Sequence, residues 1–325
     1  MWQELKILFH NKNFILSKKY YILSVLFLSL NTFSDTKLII LGSGTPNPDP
    51  ERYGSSYAVV VNDSAYLVDF GPGVMRRASA MSPSYGGQFE QMEIANIEHA
   101  FLTHIHSDHS GGLADLVLSP WVMGRDTELK LFGPKGLKSI VSNITEAYQL
   151  DIDYRLYGTQ PANKKGFVSI VKEIEEGVIF KDTNVTVTAF YNNHGDLKES
   201  FGYLFETVDK KIIFSGDTAI SDNLKKYSKG VDILVHEVYS SEGFKSKTAD
   251  WKIYHKAHHT SSIDWGVLAK ELNPKALVPS HILFWGASED SIMKDIKLNF
   301  SGKVILAEDL LVIEWHWLSK YSSVK

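Results

Sequence analysis

Three histidines and one aspartate lie within six consecutive positions of this 325-residue chain, in the order His104, His106, Asp108 and His109. Residues two apart in extended backbone point to the same side, so the first two imidazoles can share one ion. The aspartate and the third histidine follow where the chain turns and can face a second ion. The chain has no cysteine, so metal ligands must be histidine, aspartate or glutamate. Such ligands suit zinc, and also manganese or iron, and the spacing predicts a metal site.

The residues around this cluster indicate the elements that hold it. The apolar run 100–102 is typical of a strand end, and the glycine pair at 111–112 followed by apolar residues 113–118 predicts the start of a helix. The cluster is therefore expected on the connecting loop, and loops on a rigid scaffold are where proteins often place chemistry.

The same placement recurs along the chain. Strands are predicted at 37–41, 57–61, 65–70, 185–190, 201–206, 211–214, 231–235 and 276–278. Several of them deliver a titratable residue at or just past their end: Asp69, His194, Asp217, the pair His236-Glu237, and His281. This repetition predicts a site along one edge of a sheet sandwich. Helices expected at 113–118, 135–148 and 263–271 would cover the sheets outside, which gives an α/β fold of four layers, helix, sheet, sheet, helix.

From about residue 37 to residue 313 the chain resembles the metallo-β-lactamase superfamily, because the run 104–109 matches its metal motif and three further ligands follow in the required order. The resemblance implies the four-layer αββα sandwich and two zinc ions per chain, with manganese or iron as alternatives. It assigns His104, His106 and His194 to one metal, Asp108, His109 and His281 to the second, and Asp217 to a bridge between them. Asp69 could orient a metal-bound imidazole or simply cap a turn.

Three features of the sequence indicate which branch of the superfamily the chain resembles. By the resemblance, Asp217 lies at the position where true β-lactamases of this fold have a cysteine or serine pattern, so hydrolysis of antibiotics is a poor alternative. Residues 259–262 are similar to the region that carries an extra histidine in transfer-RNA 3′-processing nucleases, cyclic-nucleotide phosphodiesterases and zinc arylsulfatases. Residues 42–52 and 148–155 resemble exported arylsulfatase-like members most closely.

The sequence differs from that of the transfer-RNA 3′-processing nucleases in a segment that bears on substrate size. Their long basic arm would fall at about residues 152–178, where the chain has only Lys164 and Lys165 as a basic cluster. Few phosphate contacts would be available, and affinity for nucleic acid depends largely on them. The main hypothesis is a hydrolase of small anionic esters, either aryl sulfates or phosphodiesters, with large nucleic acid disfavoured as a partner. The alternative is a transfer-RNA 3′-processing nuclease of the ribonuclease Z type. A non-catalytic member of the fold is a weaker alternative.

The expected mechanism uses a hydroxide between the two metals, because zinc lowers the pKa of water from about 15.7 to about 7. His259 is the candidate proton donor or polariser of the leaving oxygen, with Glu237 holding its other nitrogen as a carboxylate that keeps it protonated. Alternatively, His259 is a surface residue at a helix start. Asp108 is a candidate base as well, although a metal-bound carboxylate is a weak base and we interpret it mainly as a ligand. His99, His255 and His258 are interpreted as structural or solvated.

The first 34 residues differ from the rest. Lys18 and Lys19 precede an apolar run at 20–30, and small residues follow before residue 35, which predicts a cleaved signal peptide at 1–34 and a hydrolase domain at 35–325. The run is too short to span a bilayer of about 30 Å. The mature protein would be exported, periplasmic or secreted, and cytoplasmic if this segment is instead a buried helix.

Charge and assembly give two further expectations. The chain has 34 basic and 38 acidic residues, and loss of four lysines and one glutamate with the signal peptide would leave a net charge of −7, which repels polyanions. A homodimer is compatible with the sequence because dimers are the commonest soluble assembly.

Overall fold

The computed structural model describes residues 35–314, so the predicted signal peptide lies outside the described residues. Two seven-stranded sheets form the centre of this part of the chain. Sheet 1 has the strand order β14-β1-β2-β3-β4-β5-β6, and sheet 2 has the order β13-β12-β11-β10-β9-β8-β7. The strands are β1 Lys37–Gly42, β2 Ser56–Val61, β3 Ser64–Val68, β4 His99–Phe101, β5 Leu129–Gly133, β6 Ser169–Glu173, β7 Gly177–Lys181, β8 Val185–Tyr191, β9 Phe201–Thr207, β10 Lys211–Phe214, β11 Ile233–Tyr239, β12 Ala276–Leu283, β13 Lys303–Val304 and β14 Leu311–Ile313.

Nine α-helices accompany the sheets in residues 35–314: α1 Val74–Met81, α2 Ser107–Ser110, α3 Leu113–Val122, α4 Leu137–Ala147, α5 Gln149–Tyr157, α6 Asp222–Tyr227, α7 Ala249–His258, α8 Ser262–Leu272 and α9 Glu289–Lys297. The helices predicted at 113–118, 135–148 and 263–271 are α3, α4 and α8. None of the described helices is long and apolar enough to cross a membrane.

Burial on both faces explains why the strands are apolar throughout. Successive residues of a strand point to opposite faces, so in β1 Leu38 packs between the sheets while Ile39 packs under helices. The core between the sheets is rich in aromatic residues, for example Phe101, Phe205 and Phe214. A second core joins sheet 1 to α1, α3 and α4, and a third joins sheet 2 to α6, α8 and α9. The predicted helix, sheet, sheet, helix order is confirmed.

The strand directions bring the site together. In each sheet a run of parallel strands ends at the same edge: β3, β4 and β5 in sheet 1, and β10, β11 and β12 in sheet 2. The two edges are tied directly, because the backbone N–H of Phe201 donates to the carbonyl of Thr103 at 2.9 Å. The Tyr203 hydroxyl donates to the carbonyl of Leu102 at 2.5 Å. Loops from both sheets therefore meet at one place.

Two strands continue further than the sequence predicted. His236 and Glu237 lie within β11, and His281 lies within β12, because the two strands keep pairing beyond the apolar runs. Glu237 pairs with Ser280 but Val238 pairs with Ile282, so His281 is an extra, bulged residue, and its φ is 45°. A bulge redirects a side chain, and this one turns His281 towards the site.

Candidate metal and catalytic centre

The first donor group consists of His104, His106, His194 and Asp217, whose ligand atoms all lie within 4.8 Å of one another. Nδ1 of His106 is 3.0 Å from Nε2 of His104 and 3.3 Å from Nε2 of His194. Oδ2 of Asp217 is 3.9 Å from Nε2 of His104. Four ligands at 2.0–2.1 Å around a tetrahedral ion are separated by about 3.3 Å, so these donors fit a divalent metal such as zinc.

The second donor group consists of Asp108, His109 and His281, in the same compact arrangement. Oδ2 of Asp108 is 2.9 Å from Nε2 of His281 and 3.4 Å from Nε2 of His109. Asp217 faces this group too, because its Oδ1 is 3.4 Å from Nε2 of His109 and 3.5 Å from Nδ1 of His281. One carboxylate thus offers one oxygen to each group, which is the geometry of a bridge.

Unsatisfied polar atoms point to a ligand at this place. Nε2 of His109, Nδ1 of His281 and Oδ1 of Asp217 are buried and have no hydrogen-bond partner in the described part of the chain. Buried polar atoms without partners are rare because each carries a desolvation cost. Divalent cations between the two groups would satisfy all three atoms. The residues present therefore fit a metal centre.

A further set of contacts fixes the imidazoles. Asp69 follows β3 with φ 57°, and its Oδ2 accepts a hydrogen bond from Nδ1 of His109 at 2.7 Å. Thr103 holds Asp69 in turn, through its backbone N–H at 2.7 Å and its hydroxyl at 2.9 Å. Nδ1 of His194 donates to the carbonyl of His258 at 2.9 Å. Each contact leaves Nε2 of the imidazole free to face the centre, so Asp69 orients a histidine instead of only capping a turn.

The two groups differ in protonation. Burial lowers the pKa of His194 to about 4 and that of His104 well below 6.5, so both rings are neutral near pH 7. Burial also acts to lower the pKa of His109, but the carboxylates of Asp217, Asp108 and Asp69 outweigh it and raise that pKa well above 6.5. The pKa of His281 is raised in the same way, mainly by Asp217 and Asp108 against burial.

His259 follows the end of α7 in extended backbone and is only 7% exposed, so it is not a surface residue at a helix start. Its Nδ1 is 3.3 Å from Oε2 of Glu237 and 4.0 Å from Oδ2 of Asp217. Oε1 of Glu237 accepts the backbone N–H of Thr260 at 2.7 Å. The two side chains predicted to act as a pair are therefore adjacent, although neither Nδ1 of His259 nor Oε2 of Glu237 has a hydrogen-bond partner among residues 35–314.

The charges expected for His259 and Glu237 in the structure differ from those predicted from the sequence. Burial lowers the pKa of His259 to about 4, and burial together with Asp217 raises the pKa of Glu237 well above 4.5. Burial disfavours both charges, so Glu237 does not keep His259 protonated. A neutral ring that polarises the leaving oxygen fits better than an imidazolium. Asp108 contacts two histidines of the second donor group, which matches a ligand better than a base.

Sequence reasoning missed a cavity of about 310 Å³ that opens beside His106, Asp217, His259 and His281. We call its far side the aromatic wall; it consists of Trp251, Tyr254, His255 and Trp285. His255, interpreted from the sequence as structural or solvated, belongs to this wall. The sequence indicated part of this wall, because the spacing of residues 251, 254 and 255 places them on one face of a helix.

Comparison with known proteins agrees with this geometry. A sequence model of the metallo-beta-lactamase superfamily matches residues 49–281. Ribonuclease Z of Mycobacterium bovis (strain BCG / Pasteur 1173P2) is 27% identical over 286 residues, which cover 86% of this chain and 98% of that protein. Ribonuclease Z of Mycobacterium sp. (strain KMS) is 31% identical over 202 residues, 62% of this chain and 67% of the relative.

Two solved structures share the fold. YhfI from Bacillus subtilis has a TM-score of 0.64 at 19% identity and covers 86% of this chain and 99% of its own. The short form of human tRNase Z has a TM-score of 0.62 at 22% identity and covers 86% of this chain and 98% of its own. At these identities the structures support the fold alone. The chain belongs to the metallo-beta-lactamase superfamily of metal-dependent hydrolases.

Proposed function

We propose that this protein is a two-metal phosphodiesterase of the ribonuclease Z type. The observation that carries the proposal is the position of Asp217, with one oxygen on each donor group and His259 beside it. Relatives named Ribonuclease Z, one of which aligns over 86% of the chain, support the phosphodiester as the bond that is cut and RNA as the first candidate substrate. This order reverses the sequence-based preference for small esters, because the relatives described above are named Ribonuclease Z.

In this proposal the seven residues of the two donor groups hold two divalent cations, for which zinc is the metal that best suits their nitrogen and oxygen atoms and manganese or iron are alternatives. Bound there, the cations would polarise the phosphoryl oxygens and make water a nucleophile near neutral pH.

Other residues of the chain orient the metal ligands and contact the leaving group. Asp69 and Thr103 keep Nε2 of His109 directed at the second group. His259 donates an N–H to the leaving oxygen from a largely buried position in the lining of the cavity. Glu237, anchored by the backbone of Thr260, lies beside the ring with its Oε2 3.3 Å from Nδ1 of His259. A hydrogen bond that strengthens as charge develops on the leaving oxygen accelerates bond cleavage.

A small aromatic phosphodiester is the second candidate substrate. Two observations favour it: the aromatic wall beside the centre, and the direct connection from α5 to β6 through residues 158–168, where a long basic arm would have to lie. The predicted export and the charge of −7 after signal cleavage remain predictions that would also favour a small substrate.

The proposal is tested with the full-length chain reconstituted with zinc. The substrates are precursor transfer RNA, bis(nitrophenyl) phosphate, a cyclic nucleotide and nitrophenyl sulfate. We expect turnover of phosphodiesters, loss of it after chelation and recovery on adding zinc. Asp63→Asn, in the exposed turn between β2 and β3, is a matched control that keeps full activity. Hydrolysis of the sulfate alone, or of no substrate at all, would overturn the proposal, and the ratio of RNA to small diester ranks the two candidates.

A further inference from the structure

The aromatic wall has the construction of a ligand site. Three of its members lie on α7, and Trp285 follows β12. The ring centroid of His255 is 4.4 Å from that of Trp285 and 5.3 Å from that of Trp251, to which it is nearly parallel. Trp251 is 54% exposed although it faces the cavity, so a large apolar ring there is left uncovered. An uncovered aromatic face beside a candidate catalytic centre indicates that something else stacks on it.

One polar atom in the wall is unsatisfied. His255 is only 7% exposed, and its Nδ1 has no hydrogen-bond partner among residues 35–314. Burial and the neighbouring His259 lower the pKa of His255 to about 4, so its ring is neutral and offers one donor and one acceptor nitrogen. His255 therefore brings to the cavity lining a buried nitrogen that the described residues leave without a partner.

The position of the cavity indicates which part of a substrate it holds. Its lining continues into Asp217, His281 and His259, so a group in the cavity is joined to an ester at the metal centre. His259 is the residue proposed to face the leaving oxygen, and it belongs to this same lining. A volume of about 310 Å³ is at the lower end of ligand pockets and suits one planar ring system with a short connection.

Lys247 adds a positive charge at this cavity. Its Nζ lies 4.2 Å from the centroid of the Trp285 ring, and burial lowers its pKa. An ammonium held over an aromatic face remains available to an anionic oxygen near the ring of a ligand.

We propose that this cavity is the subsite for a planar aromatic ring on the leaving group of the substrate. The ring stacks on the exposed Trp251 beside Trp285, and Nδ1 of His255 forms a hydrogen bond with its edge. The shared chemistry is the flat ring, which can be a nucleobase of RNA or the aryl group of a small diester. The assignment of the ring to the leaving group of the ester rests on the proposed function. Binding of the ring itself can be measured without turnover.

The test is isothermal titration calorimetry on the zinc-loaded full chain with two matched pairs of ligands. Adenosine monophosphate is compared with ribose phosphate, and phenyl phosphate with methyl phosphate. Each pair shares a phosphate and differs by a ring, so the ratio of dissociation constants isolates the ring contact. Stacking on aromatic side chains predicts a roughly tenfold preference for the ligand with the ring.

Three variants separate the contacts. Trp251→Ala, at a half-exposed position, should remove most of the preference. His255→Phe keeps a ring but removes Nδ1, so it should weaken binding of the nucleobase and leave phenyl phosphate nearly unchanged. Tyr154→Ala, on α5 at a residue that is 78% exposed and outside the cavity, is the matched control and should change neither ratio.

The outcomes distinguish the two proposals. A ring preference for adenosine monophosphate supports a nucleobase subsite, and a preference confined to phenyl phosphate supports a subsite for small aryl esters. Equal affinities within both pairs, or a preference that survives Trp251→Ala, would overturn the subsite, even in an enzyme that cuts phosphodiesters. A ring preference in a protein without hydrolytic activity would keep the subsite and overturn the proposed function instead.

Discussion

The two donor groups use the same kinds of side chain but differ in charge. In the first group, Asp217 acts to raise the pKa values of His104 and His194, but burial outweighs it and keeps both rings neutral. In the second group, His109 and His281 lie between Asp108 and Asp217, and these carboxylates favour the protonated rings. The first group is therefore ready to accept a cation near pH 7, whereas the second must release protons to do so.

Asp217 is the residue on which both groups depend, so its removal should have the largest effect. We expect Asp217→Ala to lower phosphodiester turnover by about 10²- to 10³-fold or more, because the variant loses a ligand of each group and the link between them. Steady-state kinetics with saturating zinc measures this. Activity within a few-fold of wild type would show that the groups act independently.

His259 should matter for chemistry and not for metal content. His259→Ala is expected to keep both ions and to lose about 10²-fold in turnover of esters with poor leaving groups. The loss should be much smaller for nitrophenolate leaving groups, which need little help from a donor. Equal losses on both substrates would indicate positioning, and loss of metal would mean that His259 is a ligand.

Asp69 offers a way to weaken one group alone. It contacts His109 directly and reaches the first group only through Thr103, whose hydroxyl lies 3.0 Å from Nδ1 of His104. Asp69→Asn should therefore lower the affinity of the second metal by about 10- to 100-fold and that of the first much less. Competition with a chelator of known affinity gives both constants. Equal weakening of the two metals would contradict the separation between the groups.

The charge difference also predicts the order of metal loss on acidification. Because the pKa values of His109 and His281 are raised, protons begin to compete with the metal for the second group above pH 6.5. Each proton that metal binding must displace changes the metal affinity by about tenfold per pH unit. His194, with a pKa of about 4, should hold the first metal to lower pH. Zinc titrations from pH 8 to 5.5 should show the second site emptying first. Simultaneous loss, or the opposite order, would refute the comparison.

The fold and the members of both groups could be predicted because their signals are local. Histidines and aspartates at the ends of apolar strands are visible in the sequence, and parallel strands bring such ends together. The bulge at His281 was not predictable, because it depends on the pairing of β12 with β11. The lowered pKa of His259 was not predictable either, because it results from burial, which the sequence does not display and which outweighs the opposing effect of Asp217.

The aromatic wall was missed for a related reason. Trp285 is 30 residues or more from Trp251, Tyr254 and His255 in the sequence, and only the packing of α7 beside the end of β12 places them around one cavity. The helical spacing within α7 indicated a shared face, but an aromatic face is more often core than binding site. Ligation of metal by the seven predicted residues stays a prediction.

Metal content tests the central claim most directly. Elemental analysis of the full-length chain, after zinc loading and removal of free metal, should give about two zinc ions per wild-type chain and fewer than one in Asp217→Ala. Wild-type protein that holds no transition metal, or variant and wild type with the same content, would contradict a centre in which Asp217 joins two ions.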